Sequence, residues 1–177
     1  MDRIPFQATR GAVAYEGCGK LPVRVLLDNV RSLYNVGAFF RTCDAVGVEM
    51  LDLCGITGRP PNKQIHKTAL GAEESVRWEY HSNPIELAGA LRGAGYEIAA
   101  VETSLHAVDL FDWQPGFPVC VVFGNEVEGI GPELSALCDT HVRIPMLGAK
   151  HSLNVATAGG VVVYELLRKY RALSLLT

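Results

Sequence analysis

The 177-residue sequence has no apolar run of the roughly 18 residues that a membrane-spanning helix needs. Its longest candidates are interrupted by Arg24 or by Gly159 and Gly160. The opening MDRIPFQATRG carries no apolar core of the kind a secretory signal has, so a cytoplasmic protein is expected. Cysteine lacks any pairing pattern: the five residues, 18, 43, 54, 120 and 138, are odd in number and form no C-x-x-C. That usage predicts free thiols in a reducing compartment. Five histidines show no i, i+4 pair and no carboxylate or thiol at ligand spacing, so no metal site is expected. The loop after the first predicted strand, Asn29-Val30-Arg31-Ser32, holds no glycine, which removes the dinucleotide fingerprint. A phosphate-binding P-loop, a serine nucleophile elbow and a Cys–His pair are also missing.

Positive charge is in deficit too. The net charge is −3 at pH 7 and the sequence pI is about 5.9, which argues against nucleic-acid binding through bulk charge. The average conceals a division. Residues 1–77 carry ten Lys/Arg against eight Asp/Glu, residues 78–149 two against ten, and residues 150–177 four against one. Two basic patches are therefore candidates: Arg59, Lys63 and Lys67 near one Pro-rich loop, and Arg168, Lys169 and Arg171 in the last segment. A functionless, solvated distribution explains the same blocks equally well.

What is present, 49% apolar and 20% charged residues, suits one globular domain. Strand-like and helix-like segments alternate. Strands are predicted at 23–28, 49–54, 76–80, 96–101, 119–123 and 141–144, and helices at 36–46, 63–70, 84–92, 132–137 and 153–170. The run Val119-Cys120-Val121-Val122-Phe123 is continuously apolar, the mark of a strand buried on both faces. The alternation predicts an α/β fold with a mostly parallel sheet flanked by helices. Residues 1–20 read as an N-terminal arm and 21–177 as the domain.

In such sheets ligands bind beyond the carboxyl ends of the strands, so three loops matter. Asn35-Val36-Gly37-Ala38-Phe39-Phe40-Arg41 follows the first strand; Asn35 can cap a helix, and Arg41 opposite the Phe-rich stripe equally suits plain surface. Gly124-Asn125-Glu126-Val127-Glu128-Gly129 leaves the apolar strand. It brings bare backbone, an amide and carboxylates to the sheet edge, or is simply an Asn/Gly turn. The third loop runs from Ile144-Pro145-Met146 through Ser152-Leu153-Asn154-Val155 into the last helix. Ser152 can cap that helix. Gly159 and Gly160 in its first turns point to a close approach by backbone, ligand or subunit, or to tight helix–sheet packing.

In this order and at these distances, the loops closely resemble the SpoU/TrmH branch of the SPOUT RNA 2′-O-ribose methyltransferases, over about residues 23–170. The motif N-x-G-x-x-x-R stands as Asn35, Gly37 and Arg41. G-N-E-x-x-G stands as Gly124, Asn125, Glu126 and Gly129. I-P-M-x-G…S-L-N-V stands as Ile144, Pro145, Met146, Gly148 and Ser152 to Val155. Ala156 departs from the small hydroxyl many members carry there. The resemblance implies a C-terminal trefoil knot, an exception to the rule against threaded chains. It also implies a homodimer and S-adenosylmethionine as cofactor, held against Thr103, Gly124, Asn125, Gly129, Ile144, Met146 and Leu153.

The reaction so implied methylates a ribose 2′-hydroxyl of RNA, with Arg41, Asn35, Glu126, Ser152 and Asn154 as catalytic residues. A guanidinium stays protonated, so Arg41 is expected to bind the adjacent phosphate and stabilise the developing alkoxide. A deprotonated Arg41 and a phosphate-mediated proton relay remain open alternatives. Arg41, Arg59, Lys63 and Lys67 are the expected RNA contacts. With no separate RNA-binding domain, transfer RNA is favoured over ribosomal RNA. A catalytically inactive knotted RNA-binding module and a nucleotide-binding α/β enzyme unrelated to RNA are the competing classes.

Overall fold

The computed structural model describes residues 20–174; most of the expected N-terminal arm, with Arg3, Arg10 and Cys18, lies outside the described residues. Leu21–Asp28 forms strand β1 because its side chains are apolar towards both faces. Val23, Val25 and Leu27 enter one core and Leu26 the other, the period-2 pattern of a strand covered on both sides. The chain continues through α1 (Leu33–Val46), β2 (Val48–Cys54), α2 (Lys63–Ala69), α3 (Ala72–Ser75), β3 (Trp78–His81) and α4 (Pro84–Gly93). It then forms β4 (Glu97–Val101), β5 (Val108–Asp109), β6 (Val119–Phe123), α5 (Pro132–Leu137), β7 (Thr140–Arg143) and α6 (Val155–Ser174). The seven strands are ordered β3-β2-β1-β6-β4-β7-β5, and every pair is parallel.

The expected α/β fold is the observed one, and β6 and α5 occupy the predicted residues. The other ends shift by up to four residues. β5 and α3, of two and four residues, are too short to leave a periodic signal. Two caps differ from expectation. Ser32, not Asn35, caps α1, its Oγ accepting the Asn35 N–H at 3.3 Å. Asn154, not Ser152, closes the start of α6, its Oδ1 accepting N–H groups of Ala156 and Thr157 at 3.0 and 3.3 Å. In both cases a polar side chain two or three positions before the free N–H groups satisfies them.

Helix α1 lies between α2 and α6. A methyl group at Gly37 would stand 2.0 Å from Thr68 Oγ1 and 2.6 Å from the Ile65 carbonyl oxygen. That glycine therefore serves the close approach of α2. Gly159 does the same for α6: a Cβ there would meet the Phe39 ring at 2.2 Å, and Phe39 in turn stacks on Phe123, 5.1 Å between centroids. Gly159 thus serves the packing of α6 on helix α1 rather than on the sheet, whereas Gly160 faces open space among the described residues.

The chain leaves the adjacent strands β1 and β6 towards opposite flanks of the sheet, β2 on one side and β7 on the other. Loops that diverge in this way open a crevice at the carboxyl edge, where α/β proteins bind ligands.

Candidate active site

The carboxyl ends of β4, β6 and β7 and the start of α6 enclose a cavity of about 580 Å³. Its walls include all seven residues expected to hold a cofactor: Thr103, Gly124, Asn125, Gly129, Ile144, Met146 and Leu153. Glu126, Ser152 and Asn154 line it as well, as do Glu102, Glu128 and His151, which the sequence did not single out. Cavities of this size accept cofactors.

The loop after β6 is built by its own side chains. Asn125 exchanges two backbone hydrogen bonds with Gly129, both 3.0 Å. Its side-chain Oδ1 accepts the Val127 and Glu128 N–H groups at 2.9 and 3.1 Å, and its Nδ2 donates to the Asn29 carbonyl at 2.9 Å. This ties the β6 loop to the β1 loop. Gly129 adopts φ +72°, the left-handed region open to glycine at little cost. Glu102 at the end of β4 accepts the Ile130 N–H at 2.8 Å, holding the far side of the turn.

Glu126 makes the central connection. Its carboxylate accepts the backbone N–H groups of Arg31 and Ser32, each at 3.0 Å, and the side-chain amide of Asn35 at 2.9 Å. Asn35 Oδ1 accepts from Asn154 Nδ2 at 3.2 Å. The three loops singled out in the sequence thus meet in one chain of hydrogen bonds, Asn154 to Asn35 to Glu126. Partial burial pushes the Glu126 pKa up, but the Arg31, Ser32 and Asn35 donors outweigh it and hold the carboxyl below its ordinary value. A depressed folded pKa means the stabilisation is complete above the ordinary carboxylate range and is lost as pH falls through the folded value. A carbon-13 titration of the Glu126 carboxyl should therefore give a midpoint below 4.5; a midpoint at or above that value contradicts the docking.

Arg41 stands apart from this network. It lies on the solvent side of α1, is exposed, does not line the cavity and pairs with no acidic group among the described residues. Ser152 is exposed at the cavity mouth. Arg59, Lys63 and Lys67 are exposed on the β2–α2 segment, away from the cavity, with Arg59 lying 4.0 Å above the Tyr80 ring. Of the candidate C-terminal basic patch, Arg168 and Arg171 reach the surface and Lys169 does not. Lys169 is only 7% exposed and its ammonium donates to the Phe111 and Trp113 carbonyls. Arg168 is bound by Glu165 at 2.7 Å. Cys43, Cys54 and Cys120 are buried free thiols, and burial pushes all three up in pKa.

The sequence showed no ligand spacing for metals, yet the sheet brings Asp52, Glu79 and His81 within 4.8 Å of one another. Cross-strand register does this, Asp52 lying opposite Glu79 and Cys54 opposite His81. Both Asp52 oxygens are already taken by Arg24, at 2.6 and 3.0 Å, so the group is an ion-pair network.

The similarity of this domain and its loops to known proteins makes it an S-adenosylmethionine-dependent RNA 2′-O-methyltransferase. The chain belongs to the SpoU rRNA methylase family, which it matches over residues 22–164. It is 34% identical to the tRNA (guanosine(18)-2′-O)-methyltransferase of Aquifex aeolicus over 82% of this chain and 68% of that one. The crystal structure of the A. aeolicus TrmH/SpoU tRNA modifying enzyme superposes with a TM-score of 0.80 at 32% identity, covering 88% of this chain and 78% of that one. The SpoU methyltransferase AviRb of Streptomyces viridochromogenes, solved with S-adenosylmethionine, gives 0.75 at 28% identity, over 84% and 57% of the two chains.

Proposed function

We propose that the chain methylates a ribose 2′-hydroxyl of transfer RNA. The observation that carries this reading is the Asn154–Asn35–Glu126 chain of hydrogen bonds. It fixes a polar array beside a cavity of cofactor size, with Gly124 and Gly129 closing the turn that carries Glu126. S-adenosylmethionine, when bound, supplies an electrophilic methyl group. Gly124, Gly129, Ile144, Met146 and Leu153, with Thr103 and Asn125, would hold it, largely through backbone.

The chain's own work is to bind and orient the ribose. Glu126 and Asn35 set the β1 loop, and Ser152 and Asn154 shape the wall from which the ribose is approached. Arg41 binds the neighbouring phosphate and stabilises negative charge as the hydroxyl loses its proton. A free guanidinium suits this role, because no carboxylate competes for it among the described residues. We further infer a homodimer and a C-terminal trefoil knot. Exposed Val161 and Tyr164, three residues apart on α6, support the first. The start of α6 forming part of the cavity wall supports the second. The reading places residues 21–177 in one methyltransferase domain after an arm at 1–20, working in the cytoplasm without a metal. No helix among the described residues is long and apolar enough to cross a membrane.

Substrate choice is tested by incubating the protein and labelled S-adenosylmethionine with unmodified transfer RNA and, separately, with unmodified ribosomal RNA. Label is expected in transfer RNA. Label confined to ribosomal RNA overturns that part of the proposal.

A further inference from the structure

Two residues other than glycine hold a left-handed backbone among the described residues, Asn29 at φ +56° and Leu70 at φ +54°. Leu70 closes α2. Asn29 closes no helix; it follows β1 and opens the loop whose N–H groups reach Glu126. Asparagine enters this region more readily than most side chains, yet a single residue kept there is fixed by its surroundings.

Those surroundings are the two neighbouring loops. Towards β2, the Asn29 N–H donates to the Cys54 carbonyl at 3.3 Å and its Oδ1 accepts the Ile56 N–H at 3.0 Å. Towards β6, its carbonyl accepts from Asn125 Nδ2 at 2.9 Å. Its Nδ2 donates to Asp28 Oδ1 at 2.7 Å, so every polar atom of Asn29 is engaged. The fit against the β2 loop is tight: a Cβ at Gly55 would stand 2.2 Å from Asn29 Oδ1. Buried Thr57 locks the next residue, its hydroxyl accepting the Val30 N–H at 3.0 Å and donating to the Leu27 carbonyl at 3.1 Å.

The left-handed turn lets one residue face both loops. With the Asn29 N–H held on Cys54, rotating φ to the helical or extended region would swing the Asn29 carbonyl away from Asn125. The same rotation would carry the Arg31 and Ser32 N–H groups off Glu126. We propose that Asn29 is a positioning residue for methyl transfer: clamped between the β2 and β6 loops, it aims the Arg31 and Ser32 N–H groups at Glu126. The inference rests on the RNA-methylating reading, which gives Glu126 its part in placing the ribose, but its first test needs no methyl transfer. A purely structural asparagine would lower Tm on substitution and leave the titration of Glu126 where it is.

Asn29→Gly is the informative variant, because glycine keeps the left-handed backbone and removes both side-chain bonds. Burial pushes the Glu126 carboxyl up and the Arg31, Ser32 and Asn35 donors hold it down. Loosening the first two donors should therefore raise its carbon-13 midpoint above that of the unsubstituted protein. The kcat should fall about 10-fold or more, further than the Kd for S-adenosylmethionine rises, because the Asn125–Gly129 bridge is retained. Asn29→Asp sets a second carboxylate against Asp28 and should be as slow. Exchanging the pair, Asp28→Asn together with Asn29→Asp, again sets one donor against one acceptor and leaves an acceptor for the Ile56 N–H. This double variant should be clearly faster than Asn29→Asp alone. An unchanged Glu126 midpoint in folded Asn29→Gly, a wild-type kcat in that variant, or no recovery in the double variant would each overturn the proposal. An unsubstituted protein that binds the cofactor and transfers no methyl group would instead refute the RNA-methylating reading, and the Glu126 midpoint would still decide the positioning.

Discussion

Replacing Arg41 by alanine is expected to lower kcat by about 10²- to 10³-fold, the loss seen when one preorganised stabiliser of a developing oxyanion is removed. The Kd for S-adenosylmethionine should stay within about twofold, because Arg41 does not line the cavity proposed to hold the cofactor. Stability should change little as well, since the side chain is exposed and substitutions at such sites cost under about 0.5 kcal/mol. Arg41→Lys should recover part of the rate: it keeps the charge and loses the planar fork that grips a phosphate. Single-turnover methylation together with calorimetry of cofactor binding checks the three statements. An alanine variant with the wild-type rate removes Arg41 from the chemistry.

Gly124→Ala is expected to have the largest effect on cofactor binding. A Cβ at this position would stand 2.2 Å from the Gly129 carbonyl carbon and 2.4 Å from both the Gly129 oxygen and the Ile130 nitrogen. These are backbone atoms held by the Asn125–Gly129 bridge and by Glu102, so neither side can yield cheaply. The loop has to open. Overpacking of this kind costs about 1–3 kcal/mol, and the displaced turn carries Glu126 away from Arg31, Ser32 and Asn35. Cofactor affinity should fall more than about 10-fold, a loss of about 1.4 kcal/mol or more, and Tm should drop. A folded variant with unchanged affinity would show that the β6 loop does not shape the cofactor site.

The sheet was legible in the sequence because strands buried on both faces must be apolar throughout. The run at Val119–Phe123 could be read to the residue for that reason. The three loops taken singly read as turns or caps; their order and spacing, which resemble those of the SpoU/TrmH family, made them legible as a site. The connections among them were not. Nothing in the local sequence says that Glu126 reaches back 95 residues to the Arg31 N–H, or that Asn35 gives up capping to bridge Glu126 and Asn154.

Charge was the least legible feature. Lys169 reads as part of a basic surface, yet it is turned inward to satisfy two carbonyls. Arg168 is spent on a neighbouring acid three positions before it. Exposed cations on the described surface include Arg31, Arg41, Arg59, Lys63, Lys67, Arg143 and Lys150. A protein of net charge −3 must therefore hold RNA through a few local contacts, which limits the salt dependence of binding.

The position of the transferred methyl group tests the central claim most directly. Unmodified transfer RNA is incubated with the protein and S-adenosylmethionine, digested to nucleosides and analysed by mass spectrometry. The expected product is one ribose-methylated nucleoside, formed about 10²- to 10³-fold more slowly by the Arg41→Ala variant. A methyl group found on a base, or none transferred at all with the cofactor bound, would contradict the account.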